Sequence, residues 1–405
     1  MSLKKICLCL IVICFTMFPA KICHAMDGKA ITMEDTTGHT TEDIADGPEI
    51  SAPSAILMEM STGKVICGKG ADTRRAPASV TKIMTMLLIF DAIESGKISL
   101  DEEVTTSEYA ASMGGSQVFL EPGEKQTVDT MLKCIAVASA NDACVAMAEH
   151  IYGSEESFVE AMNLRAQGLG MHNTNFVNCN GLDAEGHVTT AKDIAIMSRE
   201  LVGKYPQIEN YARIWMENIT HTTQKGTKEF GLTNTNKLIR QYEYATGLKT
   251  GSTDEAGFCV SATAKKNEIH LIAVIMGADT SKQRFQDAVS LLNYGFSKCQ
   301  IYTDHTPPVL KDIIVKGGTK ELLELKYKNE FTYLDVDGLS FDEIVKEQHL
   351  PSEVEAPVKK GAVMGTLVYS SHGREIGSVD IIAKESVKKA KYFDYLKSLL
   401  FEMII

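Results

Sequence analysis

Two pairs of strand-like runs, separated by a long helical middle, most strongly limit the folds open to this chain. The first pair, SAILMEMSTGKVICGKGAD, has two β-rich runs joined at Ser-Thr-Gly. The second pair, CVSATAKKNEIHLIAVIMGA, predicts two strands around a turn at 265–267, followed by an amphipathic helix from Ser281 to Phe296. Helical patterns cover 127–152, 155–169 and 190–203. This order predicts an α/β (α+β) domain in which the terminal helices cover one face of a mainly antiparallel sheet.

The length and charge of the chain limit its class. With 405 residues, of which 44% are hydrophobic, the chain is long enough for two folded units. We expect the first at 51–300. Short β-rich runs with turn residues after Cys299 predict a second, small all-β domain at 301–385. The formal net charge of −12 argues against nucleic acid as a partner, because phosphate binding needs clustered Lys and Arg.

The first 25 residues have the composition of a secretory signal peptide. Two early lysines, an apolar run from Ile6 to Phe18 and a small residue at Ala25 predict export with cleavage after Ala25. A retained membrane helix is the alternative, although the run is shorter than the roughly 20 residues that span a bilayer. Residues 26–50 are polar and acidic, which predicts a flexible leader.

Six cysteines follow the predicted cleavage point: Cys67, Cys134, Cys144, Cys179, Cys259 and Cys299. An exported chain can form disulfides, but these residues lack the tight, regular spacing of a disulfide-stapled mini-domain. A chain of this length can also bury a core without cross-links. We therefore expect free and mostly buried thiols.

A serine and a lysine three residues apart stand at the start of an apolar helical run, RRAPASVTKIMTMLLIF. The spacing places Ser79 and Lys82 on one helix face, where the lysine could take the serine proton if burial lowers the lysine pKa. Spacing alone is weak evidence, because the same pattern recurs at Ser2/Lys5, Ser61/Lys64 and Ser386/Lys389.

Two further motifs contain polar residues that could act together with Ser79 and Lys82. VASANDACVAMAEH places Ser139 and Asn141 in an apolar stretch, where unpaired polar groups are costly to bury; the alternative is a helix cap. ATGLKTGSTDEAGFCVSA places Lys249, Thr250 and Gly251 at the start of an apolar strand, and its glycines would let a substrate backbone approach closely. The alternative for this second motif is an ordinary solvated strand end.

The order SxxK, SxN and KTG resembles the active-site signature of the serine penicillin-binding proteins and serine β-lactamases. Surrounding stretches, including GGSQVFLEPGEKQTVDTMLKC, MHNTNFVNCNGLDAEGHVTTAKDIA and NTNKLI, resemble the exported D-alanyl-D-alanine carboxypeptidases of low molecular mass, the peptidase S11 family, over about 51–385. Two positions depart from that pattern. Asn180 stands where many relatives carry histidine, and Ser252 follows KTG where others carry histidine or tyrosine.

The resemblance implies a transpeptidase/β-lactamase-like fold, with a five-stranded antiparallel sheet, a helical cluster and a catalytic cleft between them. It implies that Ser79 attacks the penultimate D-alanine carbonyl of a peptidoglycan stem peptide and that Lys82 takes the serine proton. Ser139 and Asn141 would relay a proton and hold the peptide. Backbone N–H groups of Ser79 and Ser252 would form the oxyanion hole.

The same resemblance implies that Lys249 and Thr250, beside Gly251, bind the terminal carboxylate of the substrate. Arg284 stands where relatives carry an arginine credited with the same task, although it could equally be a surface arginine of a helix. No metal or cofactor is required by this chemistry, and β-lactam antibiotics are the expected inhibitors.

Two other functions remain open. A serine β-lactamase would share the three motifs but needs a deacylating carboxylate in an ExxxN-type loop, whereas GLDAEGHVTTAKD matches the carboxypeptidase pattern. A catalytically silent peptidoglycan-binding protein would have little reason to keep all three motifs.

The tail, SVKKAKYFDYLKSLLFEMII, predicts an amphipathic helix at 386–405. Its apolar residues gather on one side of a helical wheel, and it is too short and too charged to span a bilayer. The family resemblance favours a membrane-surface anchor, with the enzyme on the outer face of the cytoplasmic membrane. The alternative is a terminal helix packed on its own domain.

Overall fold

The computed structural model describes residues 47–339 and 341–394, and the fold begins at the start of this range. Ile50 is already buried, and its carbonyl accepts a hydrogen bond from Lys69 Nζ at 2.7 Å. The predicted signal peptide, nearly all of the predicted leader and the end of the predicted anchor lie outside the described residues. In the described part, no helix combines the length and apolarity that crossing a membrane requires.

A five-stranded antiparallel sheet forms the centre of the first domain, with strand order β2-β1-β9-β8-β7. The predicted hairpins at both ends of the helical region are confirmed. The first nine strands are β1 Ser54–Glu59, β2 Val65–Lys69, β3 Glu103–Thr105, β4 Lys125–Thr127, β5 Met216–Thr223, β6 Gly226–Thr233, β7 Ala245–Thr253, β8 Gly257–Lys266 and β9 Ile269–Ala278.

Helices cover both faces of this sheet. They are α1 Lys82–Glu94, α2 Glu108–Ala111, α3 Val128–Val137, α4 Asn141–Tyr152, α5 Glu155–Gly168, α6 Ala191–Lys204, α7 Ile208–Ala212, α8 Leu238–Gln241 and α9 Ser281–Lys298. Because strand side chains alternate between faces, Ile56 and Val274 join the core under α1 and α6, whereas Leu57 and Ile275 join the core under α9. The predicted fold class is confirmed, with α9 on one face and the helical cluster on the other.

The helical pattern predicted over 127–152 is not one helix. The chain forms α3 and α4, and between them Ser139 has a left-handed backbone with φ of 61°. No Gly or Pro marks this break in the sequence. The apolar period continues because Ala138 and Ala140 also face the interior, so packing rather than local propensity decides where the helix stops.

A separate all-β unit follows α9, as predicted. Its strands are β10 Gln300–Thr303, β11 Ile313–Lys316, β12 Leu322–Leu323, β13 Leu325–Tyr327, β14 Thr332–Asp335, β15 Ile344–His349, β16 Glu353–Glu355, β17 Val363–Ser371 and β18 Arg374–Ala383. This unit has its own core, in which the rings of Phe331 and Tyr369 stack at 3.7 Å.

The β unit extends further along the chain than its last strand. Val387 is buried at 1% exposure and pairs with Val358, and the Ala390 N–H donates to the Gly317 carbonyl. Residues 386–390 are therefore an extended part of the β unit, and they are not part of an anchor helix. Any amphipathic helix must begin after Ala390.

The interface between α9 and the sheet supplies a test of the core. Leu292 is fully buried there, so Leu292→Ala should lower the free energy of unfolding of this domain by about 2–5 kcal/mol, through lost burial and a residual cavity. Gln286→Ala on the exposed side of the same helix should change it by less than about 0.5 kcal/mol. Urea unfolding followed by circular dichroism measures both, and equal effects would contradict this packing.

Candidate active site

The candidate nucleophile lies on a short turn of 3₁₀ helix, Ala78–Thr81, immediately before α1. Ala78 has a left-handed backbone with φ of 49°, which is uncommon for a residue with a side chain. Ser79 is partly exposed while Ala78 and Val80 are buried, so the turn presents the hydroxyl to the cleft. Lys82 is the first residue of α1 and has no exposed surface.

Three oxygen atoms surround the Lys82 amine. Nζ lies 2.8 Å from Ser79 Oγ, 2.7 Å from Asn141 Oδ1 and 2.5 Å from the Asn180 carbonyl oxygen. The Asn141 amide is held on its other side, where Nδ2 donates to the Gly114 carbonyl at 2.7 Å. The lysine is therefore aimed at the serine hydroxyl by neutral groups.

A second buried lysine lies in the same cleft. Lys249 Nζ donates to Ser139 Oγ at 2.9 Å and to the Thr250 carbonyl at 3.0 Å, and the residue is 1% exposed. Thr250 Oγ1 donates to Thr235 Oγ1 at 2.7 Å, which joins the cleft to the end of β6. The structure thus brings all three predicted motifs together.

Burial sets the protonation of both lysines. It lowers the pKa of Lys82 below its ordinary value, because a charged ammonium loses its hydration in the interior. Burial, and then repulsion from Lys82, hold the pKa of Lys249 well below its ordinary range. A lowered pKa makes the neutral, proton-accepting form of a lysine amine easier to reach, as a general base requires.

Two glycines allow the backbones around Ser79 to meet. A Cβ atom on Gly251 would lie 2.7 Å from the Ser79 nitrogen, so β7 can run beside the nucleophile only with glycine here. A Cβ on Gly181 would lie 2.0 Å from the Ala78 carbonyl oxygen. Both approaches place backbone groups at the serine, the position where donors for a developing oxyanion are needed.

Arg284 is buried and is not a surface residue of α9. It is 6% exposed, and Nη1 donates to the carbonyls of Gly251 at 2.9 Å and Cys259 at 3.2 Å. Burial lowers the pKa of Arg284 to about 10, which leaves the guanidinium charged at neutral pH. The arginine therefore supports the KTG segment of β7 from behind and adds positive charge to the cleft.

One local expectation from the sequence is wrong: Lys249–Gly251 lie in the interior of β7 rather than at a strand start. The two alternatives that the motifs left open are excluded. Lys249 is buried, so KTG is not a solvated strand end, and α4 has Ala140 at its N-cap with no side-chain hydrogen bond, so Ser139 and Asn141 do not cap a helix. The expectation of free, buried cysteines is confirmed for all six.

The other SxxK matches make no serine–lysine contact in the described part of the chain. Ser61 Oγ bonds to Glu59, while Lys64 pairs with Asp337. Ser386 Oγ accepts a hydrogen bond from the Lys360 N–H. The Ser2/Lys5 match lies outside the described residues.

Sequence reasoning missed His187, which supports the nucleophile turn. Its Nε2 lies 2.8 Å from Thr81 Oγ1, Nδ1 accepts from the Val177 N–H at 2.9 Å, and Thr81 Oγ1 donates to the Ala78 carbonyl. Burial lowers the pKa of His187 to about 4, so the ring is neutral. The GHVTT stretch offered no local signal for this contact, because its partners are distant in sequence.

The backbone carbonyl of Asn180 was missed for a different reason. The sequence marked this position as a departure from the family in its side chain, but the contact to Lys82 uses the main chain. A change of side chain there leaves that contact possible.

Comparison with known proteins agrees with the geometry. Residues 40–280 match the peptidase S11 family, described as D-alanyl-D-alanine carboxypeptidase, and residues 296–389 match the C-terminal domain of penicillin-binding protein 5. D-alanyl-D-alanine carboxypeptidase DacF of Bacillus subtilis is 44% identical over 85% of this chain and 88% of its own length. DacC of Escherichia coli is 32% identical over 88% and 89%.

Solved structures show the same architecture. Penicillin-binding protein 5 from Haemophilus influenzae has a TM-score of 0.67 and 30% identity, covering 84% of this chain and 98% of that one. The peptidoglycan synthesis regulatory factor PBP3 from Streptococcus pneumoniae has a TM-score of 0.69 and 26% identity, with coverage of 84% and 100%. The chain therefore belongs to the peptidase S11 family, the serine D-alanyl-D-alanine carboxypeptidases.

Proposed function

We propose that this protein removes the terminal D-alanine from peptidoglycan pentapeptide stems through an acyl-enzyme on Ser79. The observation that carries the proposal is the 2.8 Å contact between Ser79 Oγ and the fully buried amine of Lys82. A serine hydroxyl is a weak nucleophile until a base with a suitable pKa stands beside it. Lys82 meets both requirements, of distance and of lowered pKa.

In the acylation step, neutral Lys82 accepts the Ser79 proton while Oγ bonds to the penultimate D-alanine carbonyl carbon. The backbone N–H groups of Ser79 and Ser252 would stabilise the oxyanion. When the amide C–N bond breaks, the leaving D-alanine nitrogen receives a proton from Lys82, relayed by Ser139. Water then hydrolyses the ester and regenerates the serine.

The substrate carboxylate is assigned to Lys249 and Thr250. Burial and the neighbouring Lys82 disfavour the charged form of Lys249, and a bound carboxylate favours it. Asn141 is assigned to the peptide backbone of the substrate. Arg284, bonded to the Gly251 carbonyl, would hold the KTG segment in place and add long-range attraction for the carboxylate.

The first test of this function uses the purified protein and a muropeptide pentapeptide. Mass spectrometry should show loss of a single alanine, and penicillin should add its mass to the peptide that contains Ser79, because a β-lactam acylates the same hydroxyl. Ser79→Ala should lose both reactions. Labelling that persists in Ser79→Ala, or an intact pentapeptide with the wild-type protein, would disprove the assignment.

The role of Lys249 predicts a selective defect. A charge-assisted hydrogen bond contributes about 1.5–3 kcal/mol, so Lys249→Ala should lower kcat/KM by about ten- to a hundredfold. A substrate with an amidated C-terminus lacks the carboxylate and should be nearly indifferent to the change. Steady-state rates on the two substrates measure the difference, and equal losses would assign Lys249 to the chemistry or the fold.

We further propose that the protein is exported and is held at the outer face of the cytoplasmic membrane by its tail. The support is the predicted signal sequence at 1–25 together with the apolar, amphipathic composition after Ala390. Tyr392 and Phe393, at 76% and 78% exposure, are apolar side chains that the β unit does not bury.

Deletion of 391–405 tests the anchor and leaves the hydrogen bond of the Ala390 N–H intact. The truncated protein should keep its melting temperature and penicillin labelling but should no longer sediment with anionic lipid vesicles. The variant Leu396→Glu/Leu400→Glu keeps the length of the tail, and it should also fail to sediment with the vesicles. Continued sedimentation of the truncated form would contradict the anchor.

A further inference from the structure

A strained aromatic residue stands on the loop that leads to the SxN motif. Phe119 has a left-handed backbone with φ of 62°, and its side chain is 65% exposed. For a bulky residue this backbone conformation is a true outlier, which persists only where the surrounding structure holds it. Since the ring is mostly exposed, burial of the Phe119 side chain does not explain why a bulky residue stands at this position.

Asp142 holds the loop in this conformation. Its fully buried carboxylate accepts hydrogen bonds from the backbone N–H groups on both sides of Phe119, those of Val118 at 3.2 Å and Leu120 at 3.1 Å. The backbone N–H of the neighbouring residue, Asn141, donates to the Ser116 carbonyl at 2.7 Å, and the Asn141 side chain contacts Lys82. The backbone that carries the exposed ring is therefore hydrogen-bonded to the residue next to Asn141, at the catalytic cleft.

The ring forms one wall of a cavity of about 460 Å³ at the tip of the β5–β6 hairpin. Phe230 meets Phe119 edge to face, with ring centroids 5.9 Å apart. Lys225 and Lys228 line the same cavity, and Lys228 has no ion-pair partner within the described ranges.

One residue that lines this cavity, His221, has an unsatisfied polar atom. His221 Nδ1 donates to the buried Glu124 carboxylate at 2.7 Å, because a carboxylate can only accept. Nε2 of the same ring is buried and finds no hydrogen-bond partner among the residues that the structure describes. The cavity thus combines two aromatic rings, the Lys228 ammonium, the ion pair of Lys225 with Glu121 and an unsatisfied imidazole nitrogen.

The hairpin gives the distance from this cavity to the carboxylate end of the cleft. Its base is joined to Thr250 through Thr235, and Lys228 precedes Thr233, the last residue of β6, by five positions. At about 3.4 Å per residue, this places Lys228 about 17 Å along the hairpin from its base, and Phe230, which lines the near side of the cavity, about 10 Å from it. An extended pentapeptide spans at most about 18 Å, so the first residue of a stem peptide could reach the cavity.

We infer that the cavity between Phe119 and Phe230 binds the sugar ring to which the stem peptide is attached. A sugar offers an apolar ring face for Phe119 and hydroxyl or amide groups for Lys228 and His221. The span favours the sugar over the middle residues of the peptide, which would lie closer to Ser79. This inference rests on the proposed carboxypeptidase function, and it makes glycan-linked pentapeptide the preferred substrate.

The test compares release of D-alanine from a disaccharide-linked pentapeptide and from the same pentapeptide without sugar. The wild-type protein should favour the disaccharide substrate in kcat/KM by about tenfold, the size of an aromatic contact plus a hydrogen bond. Phe119→Gly and Lys228→Ala should reduce this preference and leave the sugar-free rate within about twofold. Leu164→Ala removes an equally exposed apolar side chain elsewhere and should keep the preference.

Phe119→Gly also separates recognition from folding. Because glycine adopts a positive φ without strain, the relief of strain should offset the lost contact with Phe230, and the melting temperature should stay close to that of the wild type. Equal rates of the wild type on the two substrates would overturn the inference, as would a preference that survives Phe119→Gly or that follows the third residue of the peptide. If neither substrate loses D-alanine, the proposed function itself fails.

Discussion

The burial of two lysine amines in one cleft is the constraint on which the rest of the site depends. Removing an ammonium from water is expensive unless polar groups replace its hydration, and Lys82 and Lys249 form no salt bridge in the described structure. Neutral oxygens surround Lys82 instead. This solvation by neutral groups is weaker than that of water, so the pKa falls and the amine becomes a usable base.

Such solvation requires that hydrogen-bonding groups from distant parts of the chain are held in fixed positions around the buried amines. Ala78, Ser139 and Phe119 all have left-handed backbones, and all three lie on segments that reach the cleft. Conformations of this kind cost free energy and persist where packing holds them. The sheet and the two hydrophobic cores on its faces supply that packing.

Local patterns were sufficient where the structure is itself local. Hairpins around a turn, the amphipathic α9 and the β unit follow from side-chain periodicity and turn residues, and the structure has them near the predicted bounds. Prediction failed where a contact between distant segments overrides propensity. The break at Ser139 and the extended run through Val387 are each decided by packing against residues far away in sequence. The same kind of packing decides between the two positions that the sequence left open for Arg284, since it buries this residue against β7.

The sequence by itself determined the residue types of the site, their order and the family resemblance, because spacing within a motif is a property of the chain. It could not show which atoms meet. Main-chain positions decide three of these contacts. They are the Asn180 carbonyl beside Lys82, the glycines that let β7 approach Ser79, and the neutral His187 beneath the nucleophile turn. Only the tertiary structure decides these positions, because each joins segments whose approach is controlled by the shared core rather than by local preference.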